Sequence, residues 1–351
     1  MTDNQDIPFY HLHLHTEYSL LDGAIRLNDL MTRCTEFRMD AVAITDHGTM
    51  FGVAEFYEKA RKAGIKPILG CEVYVAPRTL NDRTQLDRKG LSHLVLLAKD
   101  MEGYTNLCKL VSVAQLKGFY FKPRIDKELL AEHAKGLVGL SACLKGEIPQ
   151  AILENNQSKA DDLARFYLET LGEGNFFLEV QENGMEIQRR LNNGLLDMSK
   201  RLSIPMVATN DCHYLSNGDA KAHEILLCIQ TGDTFDNADR FKFDSDQLYF
   251  KSRQEMADSL GHFPDAIANT KLIADMCEVD FGKKTYHFPR YDLGDGLSED
   301  ELFKKLAMEG FEERLAKIKA KSPDIDEQAY RDRIKYEIDI ILKMGFPGYF
   351  L

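Results

Sequence analysis

Several features that define other classes of protein are missing from this sequence. It contains no run of about 18 apolar residues, the length that a membrane-spanning helix needs. Its seven cysteines are odd in number and lack paired spacing, which argues against a disulfide framework and for a reducing cytoplasm. The polar, acidic start at residues 1–6 is unlike a secretory signal. Internal repeats and low-complexity segments are also missing. These absences favour an ordinary soluble, cytoplasmic protein.

The sequence also lacks an excess of positive charge. Its formal net charge of −12 opposes a surface that coats nucleic acid, because such a surface would be basic. It does not exclude action on a phosphodiester, since bound divalent metal ions reverse the electric field locally. The chain has 351 residues, of which 44% are hydrophobic, enough for one large domain and part of another.

The stretch at residues 11–23 carries an unusual density of metal-binding side chains. His11, His13 and His15 alternate with leucine, so a strand would place all three imidazoles on one face. Buried ring nitrogens need partners, and three together favour a metal site over a polar, solvated edge strand. Asp22 follows in the next loop and adds a carboxylate.

Apolar stretches alternate with helical patterns from residue 9 to about residue 214. They predict seven strands, at 9–15, 41–45, 67–75, 93–98, 137–142, 176–180 and 205–210. This alternation predicts parallel pairing with right-handed crossovers, in either a barrel or a doubly wound sheet.

The C-terminal part of the chain has a different pattern. Residues 281–297 are extended and contain one proline and three glycines, which predicts a linker after a domain at 1–280. Ser298 and Glu301 form a capping box that starts a helical segment at 298–351. The apolar end of the chain suggests a fragment of a longer protein.

Candidate ligands recur at the predicted strands, where α/β barrels and sheets form their sites. Taken alone, His93 or Cys143 is better explained as a core histidine or a small buried thiol. Together the mixed nitrogen, oxygen and sulfur donors predict two or three metal ions. These candidates are His13, His15, Asp22, Asp46, His47, Glu72, His93, Cys143, Asp211 and His213.

These motifs resemble those of the polymerase-and-histidinol-phosphatase (PHP) superfamily. Shorter stretches at 119–126, 222–230 and 344–351 resemble the N-terminal region of bacterial replicative DNA polymerases, a branch of that superfamily. The resemblance covers essentially the whole chain. It implies a distorted seven-stranded (β/α) barrel of PHP type, followed by the helical start of a polymerase palm.

The resemblance also implies a metal centre of three divalent ions: zinc, manganese or iron. Cys143 stands where other members often have histidine, and its soft sulfur favours zinc or iron over magnesium. The implied ligands are His13, His15, Asp22, His47, Glu72, His93, Cys143, Asp211 and His213.

The implied activity is phosphodiester hydrolysis, with 3′–5′ exonuclease proofreading as the preferred interpretation. Asp22 and Asp211 would be oxygen ligands, and His213 or His15 would protonate the leaving group. The implied partners are a DNA primer end, the rest of a polymerase chain, a separate proofreading exonuclease and a sliding clamp. The characteristic polymerase motif Pro-Asp-x-Asp-x-Asp is missing, so the chain should not polymerise DNA alone.

Two alternatives to this activity remain. The metal centre could stabilise a structural module on which a separate exonuclease docks. The chain could instead be a free-standing phosphatase of histidinol-phosphate type, which the helices after Ser298 disfavour.

Five residues have weaker expected roles. Lys122 and Arg124 follow aromatic residues and suit a DNA-backbone contact, although a loop that packs these aromatics inward fits equally well. Lys145 is a further candidate contact. His11 is expected to have a core or ligand-supporting role. Asp46 could orient the ring of His47 or cap the next helix.

Overall fold

The computed structural model of the chain describes residues 7–282 and 296–351. It divides into two compact units, Met1–Asp280 and Phe281–Leu351. The predicted linker at 281–297 lies largely outside the described residues, and the predicted domain assignment stays a prediction. Among the residues that are described, no helix combines the length and the apolar character needed to cross a membrane.

The first unit contains a seven-stranded sheet that curls into a distorted barrel. Its strand order is β1-β2-β3-β5-β6-β7, with β4 paired to β2. The strands are β1 Ala41–Ile44, β2 Lys66–Val75, β3 Ser92–Ala98, β4 Arg124–Ile125, β5 Leu137–Leu140, β6 Phe176–Val180 and β7 Met206–Ala208. Six of them match predicted strands, whereas the two-residue β4 was not predicted.

The predicted strand at 9–15 is instead an irregular segment that closes the barrel. On one side, the backbone N–H of Ala43 donates to the carbonyl of His11 at 2.9 Å. On the other side, the N–H of His15 donates to the carbonyl of Cys212 at 2.8 Å. The segment therefore lies between β1 and the chain that follows β7, and it brings His13 and His15 to the candidate site.

Strand β3 runs antiparallel to both β2 and β5, so the prediction of all-parallel pairing was wrong. The connection from β2 to β3 contains only the short helix α3 (Gln85–Lys89). The connection spans residues 76–91, a length that does not by itself fix the strand direction. Because β3 is reversed, its first residues lie beside the last residues of β2, and His93 pairs in register with Tyr74.

Helices cover the outside of the barrel, and apolar side chains fill its interior. Leu12, Ile68, Val95, Leu140 and Phe177 belong to one buried cluster. Besides α3, the helices are α1 Leu27–Glu36, α2 Val53–Lys62, α4 Met101–Leu116, α5 Lys127–Glu132, α6 Glu147–Leu153, α7 Gln157–Leu171, α8 Glu186–Leu202, α9 Ala220–Thr231, α10 Arg253–Leu260 and α11 Pro264–Met276. A 3₁₀ turn at Asn217–Asp219 precedes α9.

The described part of the second unit consists of helices. They are α12 Glu299–Lys321, α13 Glu327–Lys343 and the short α14 Pro347–Phe350. The predicted capping box is confirmed, because the N–H of Ser298 donates to Glu301 Oε2 at 2.8 Å and the N–H of Glu301 donates to Ser298 Oγ at 3.3 Å.

Candidate metal centre

All nine predicted ligands come together at one end of the barrel. Asp22, His47, His93, Cys143, Asp211 and His213 line an open cavity of about 410 Å³. The remaining three, His13, His15 and Glu72, lie almost completely buried beside them. The closing segment, the strand ends and the reversed start of β3 thus deliver ligands to one place.

The ligand atoms form overlapping groups. Three sets of three residues have ligand atoms that all lie within 4.8 Å of one another. The sets are His13, His15 and Asp211; His15, His47 and His213; and His47, Glu72 and His93. Since two sets share His15 and two share His47, the arrangement is one continuous cluster and suits more than one cation.

Asp22 and Cys143 extend the cluster at its edges. Asp22 Oδ2 lies 2.7 Å from His47 Nε2 and 3.4 Å from His213 Nε2. Cys143 Sγ lies 3.9 Å from Glu72 Oε1 and 4.0 Å from His93 Nδ1. These contacts join the two predicted ligands that fall outside the three sets to their neighbours.

Unpartnered buried atoms indicate that the cluster fits cations. Within the described chain, His47 Nδ1, Glu72 Oε2 and His213 Nε2 are buried and make no hydrogen bond. The first two are only 2.6 Å apart, yet their geometry is not that of a hydrogen bond. Buried polar atoms without partners are costly. A cation held between such donors would satisfy them.

The charge of the site also indicates that the cluster fits cations. Burial alone would raise the pKa of Asp211, but His13, His213 and His15 outweigh it and hold that pKa well below its usual range. Burial lowers the pKa of His47, while Glu72 and Asp22 raise it, to about 10. The carboxylates therefore keep their negative charge, and the field that attracts a proton to His47 equally attracts a metal ion.

Hydrogen bonds on the far side of the rings orient three of the histidines. His13 Nδ1 donates to Glu179 Oε1 at 2.6 Å, and His213 Nδ1 donates to the carbonyl of Asp211 at 2.9 Å. His15 Nδ1 lies 3.3 Å from Ser19 Oγ. With Nδ1 engaged, each ring turns Nε2 toward the cluster, as a metal-ligating histidine requires. Accordingly, the Nε2 atoms of His13 and His15 approach to 3.1 Å.

Glu179 is a buried residue of the site that the sequence analysis missed. Besides His13, its Oε1 accepts hydrogen bonds from Gln181 Nε2 at 2.8 Å and from Thr209 Oγ1. Its side chain is completely buried. The sequence did carry a signal, because Glu179 is the single charged residue in the apolar strand β6.

Asp46 has neither of its two predicted roles. It accepts hydrogen bonds from the N–H of Thr16 at 2.7 Å and from Ser19 Oγ at 2.8 Å, while α2 begins after Gly52. Ser19 Oγ is the same hydroxyl that lies against His15 Nδ1. Asp46 therefore anchors the 16–19 loop, and through Ser19 it supports His15 rather than the ring of His47.

His11 points away from the ligand cluster. Its Nε2 donates to the carbonyl of Lys251 at 2.8 Å, and its Nδ1 lies 3.3 Å from Cys212 Sγ. Burial lowers its pKa to about 4. These contacts place it in the core, one of the two roles expected for it.

The predicted DNA contact of Arg124 does not fit the structure. Its guanidinium is completely buried and donates to the carbonyls of Gly118, Asp82 and Leu80 at 2.9–3.0 Å. The side chain is committed to holding a loop, so this prediction was wrong. Lys122 and Lys145, by contrast, both line the cavity. Their predicted substrate contacts stay predictions.

Comparison with known proteins defines the class. Residues 11–183 match the model of the PHP domain, so the chain contains a PHP domain. More particularly, it is similar to DNA polymerase III subunit alpha. It is 40% identical to that subunit from Treponema pallidum, over 98% of this chain and 29% of the relative. It is 39% identical to that of Thermus aquaticus, over 98% of this chain and 33% of the relative.

The chain thus spans about a third or less of the length of these relatives. Among solved structures, it is similar to a two-domain protein from Bacteroides vulgatus that contains a predicted PHP-like metal-dependent phosphoesterase. That match has a TM-score of 0.37 and 14% identity, and it covers 72% of this chain and 62% of the other.

Proposed function

We propose that this chain is the N-terminal, metal-dependent phosphoesterase part of a bacterial DNA polymerase III alpha subunit, acting as a 3′–5′ exonuclease in proofreading. The observation that carries the proposal is the continuous cluster of nitrogen, oxygen and sulfur donors that opens into a cavity. The similarity to alpha subunits over 98% of the chain supports the setting in DNA replication.

Three divalent ions (zinc, manganese or iron) would be held by His13, His15, Asp22, His47, Glu72, His93, Cys143, Asp211 and His213. When bound, such ions activate water as a nucleophile and neutralise charge on a phosphate. The residues match the preferences of these metals, because imidazole, carboxylate and thiolate donors occur together.

The remaining chemistry falls to the side chains of the cavity wall. Lys122 and Lys145, which line the cavity, would bind the phosphodiester anion. His213 lines the cavity, whereas its Nδ1 donates to the carbonyl of Asp211, so it could give a proton to the leaving 3′-oxygen only from an Nε2 that does not hold a metal ion. His15 is completely buried and is not among the described residues that line the cavity.

The proposed partners rest on the resemblance to bacterial replicative DNA polymerases and not on the cavity. They are the primer end of DNA, the remainder of a polymerase chain, a separate proofreading exonuclease and a sliding clamp, all in the bacterial cytoplasm. Polymerisation would require parts of the alpha subunit beyond these 351 residues.

One observation favours a second function, that of a metal-stabilised structural module for docking a separate exonuclease. The candidate ligands come from the closing segment, from β2 and β3 and from the loops after β1, β5 and β7. Bound ions would therefore cross-link almost the whole ring, which stabilises a fold whether or not a reaction occurs.

A comparison of substrates separates these functions. The metal-loaded chain is given a primer with a mismatched 3′ end and, separately, a phosphomonoester. Asp211→Ala serves as the inactive variant, and Asp258→Ala, at an exposed helix position, as the matched control. Nucleotide release by the wild type and by Asp258→Ala, but not by Asp211→Ala, is the expected result.

The other outcomes are equally informative. Phosphate release from the monoester alone would indicate a phosphatase. No hydrolysis of either substrate by a chain with its metal bound would leave only the structural role and would overturn the proposed exonuclease.

A further inference from the structure

Three large apolar side chains surround the mouth of the cavity, and we name them the apolar rim: Leu20, Phe51 and Phe241. All three line the cavity, yet they are 72%, 70% and 52% exposed. A single exposed apolar residue needs no explanation. Three that line one polar cavity are not scattered singly, and together they offer apolar surface to a ligand in that cavity.

The rim is tied to the metal centre through its own loops. Leu20 lies between Ser19 and Asp22, which contact His15 and His47 respectively. Phe241 packs edge-on against Phe243 with ring centroids 5.6 Å apart, and Phe243 lies against the ring of His213 at 5.4 Å. A group seated on the rim would therefore be held beside the cluster of ligands.

The rim and the cavity wall together match one kind of ligand. Lys122 and Lys145 supply positive charge for a phosphate, whereas the rim supplies apolar surface and two aromatic faces. A volume of about 410 Å³ lies within the usual range of small-molecule sites. A nucleotide combines these features, because its sugar joins a phosphate to a flat base, and every nucleobase can stack on an aromatic side chain.

We propose that the apolar rim binds the base of the 3′-terminal nucleotide by stacking, and that the site therefore selects unpaired 3′ ends. This inference rests on the proposed phosphodiesterase function. A base inside a duplex is stacked on its neighbours and paired, so its faces reach the rim only after it is unpaired. A mismatched end is already frayed and meets this requirement at lower cost.

The test compares two single-stranded oligonucleotides of equal length, one with a normal 3′-terminal nucleotide and one whose last nucleotide is abasic. Binding to the metal-loaded chain is measured by fluorescence anisotropy, with a phosphorothioate at the last linkage to suppress cleavage. Cleavage is measured separately on unmodified ends. The variants are Phe51→Ala and Phe241→Ala. The control is Leu272→Ala, 49% exposed and not among the described cavity-lining residues.

Wild type should bind the normal end on the order of 10-fold more tightly than the abasic end, the factor expected of one stacked base. Phe51→Ala should lose most of that preference, with little change for the abasic end. Leu272→Ala should behave as wild type.

Equal losses on both oligonucleotides, or unchanged binding in both rim variants, would overturn the inference; the second result would fit a rim covered by polypeptide. Equal cleavage of normal and abasic 3′ ends would contradict the inference and leave the proposed function intact. Tighter binding of the normal end without any cleavage would contradict the proposed exonuclease and still support base binding at the rim.

Discussion

Nδ1 of His13 lies 2.6 Å from Oε1 of Glu179, and neither side chain is exposed to solvent. A histidine that binds a metal through Nε2 commonly donates its other N–H to a carboxylate. Glu179 fixes which nitrogen of His13 carries the proton, and hence which nitrogen faces the cluster.

Replacing Glu179 by glutamine should weaken metal binding and leave the fold intact. The amide keeps the size of the side chain but removes the charge that polarises the imidazole, and losses of such partners cost about 10-fold to 100-fold in metal affinity. Competition with a chromophoric chelator measures the affinity. The exposed Glu173→Gln variant is the control. An unchanged affinity in Glu179→Gln would mean that the contact has no role in binding metal.

Removal of metal should lower the stability of the barrel. Ions that bind only the folded state add about 4 kcal/mol when the free metal is on the order of 1,000 times Kd. Thermal unfolding with and without a strong chelator should therefore show a lower Tm after chelation. In Asp211→Ala, which lacks one carboxylate ligand of the cluster, chelation should matter much less. An identical Tm for wild type in both conditions would contradict the prediction.

Truncation of Arg124 should lower the stability of the fold, whereas truncation of Lys122 should weaken substrate binding. The sequence suggested the same role for both residues. Arg124→Ala leaves one buried and two partly buried carbonyl groups without their donor, and unpaired buried groups cost roughly 1–3 kcal/mol each. It should lower the free energy of unfolding by about 3 kcal/mol or more, measured by urea denaturation. Lys122→Ala should barely change stability but raise KM for an oligonucleotide. A stable Arg124→Ala variant with weakened DNA binding would contradict this expectation and support the DNA contact that the sequence predicted for Arg124.

The parts of the site that follow local spacing were predictable from the sequence. His13 and His15 are two residues apart, as are Asp211 and His213, and the resemblance to the PHP family marked all nine ligand candidates. The structure brings these nine residues together. Whether they bind metal stays a prediction.

What the sequence could not provide depends on pairing across the fold. Alternating apolar stretches do not reveal strand direction, so the reversal of β3 was missed. Glu179 is far from every motif and meets His13 only because β6 lies in the same ring. Arg124 resembled a surface cation because the three carbonyls that bind it become neighbours only on folding.

The most direct test of the metal-dependent exonuclease is single-turnover nucleotide release from a mismatched primer, followed as metal is restored to the metal-free chain. Release should be negligible without metal and should rise with the number of ions bound per chain. It should stay negligible in Asp211→Ala at every metal concentration. Release that is independent of metal, or no release from a fully loaded wild-type chain, would contradict the central claim.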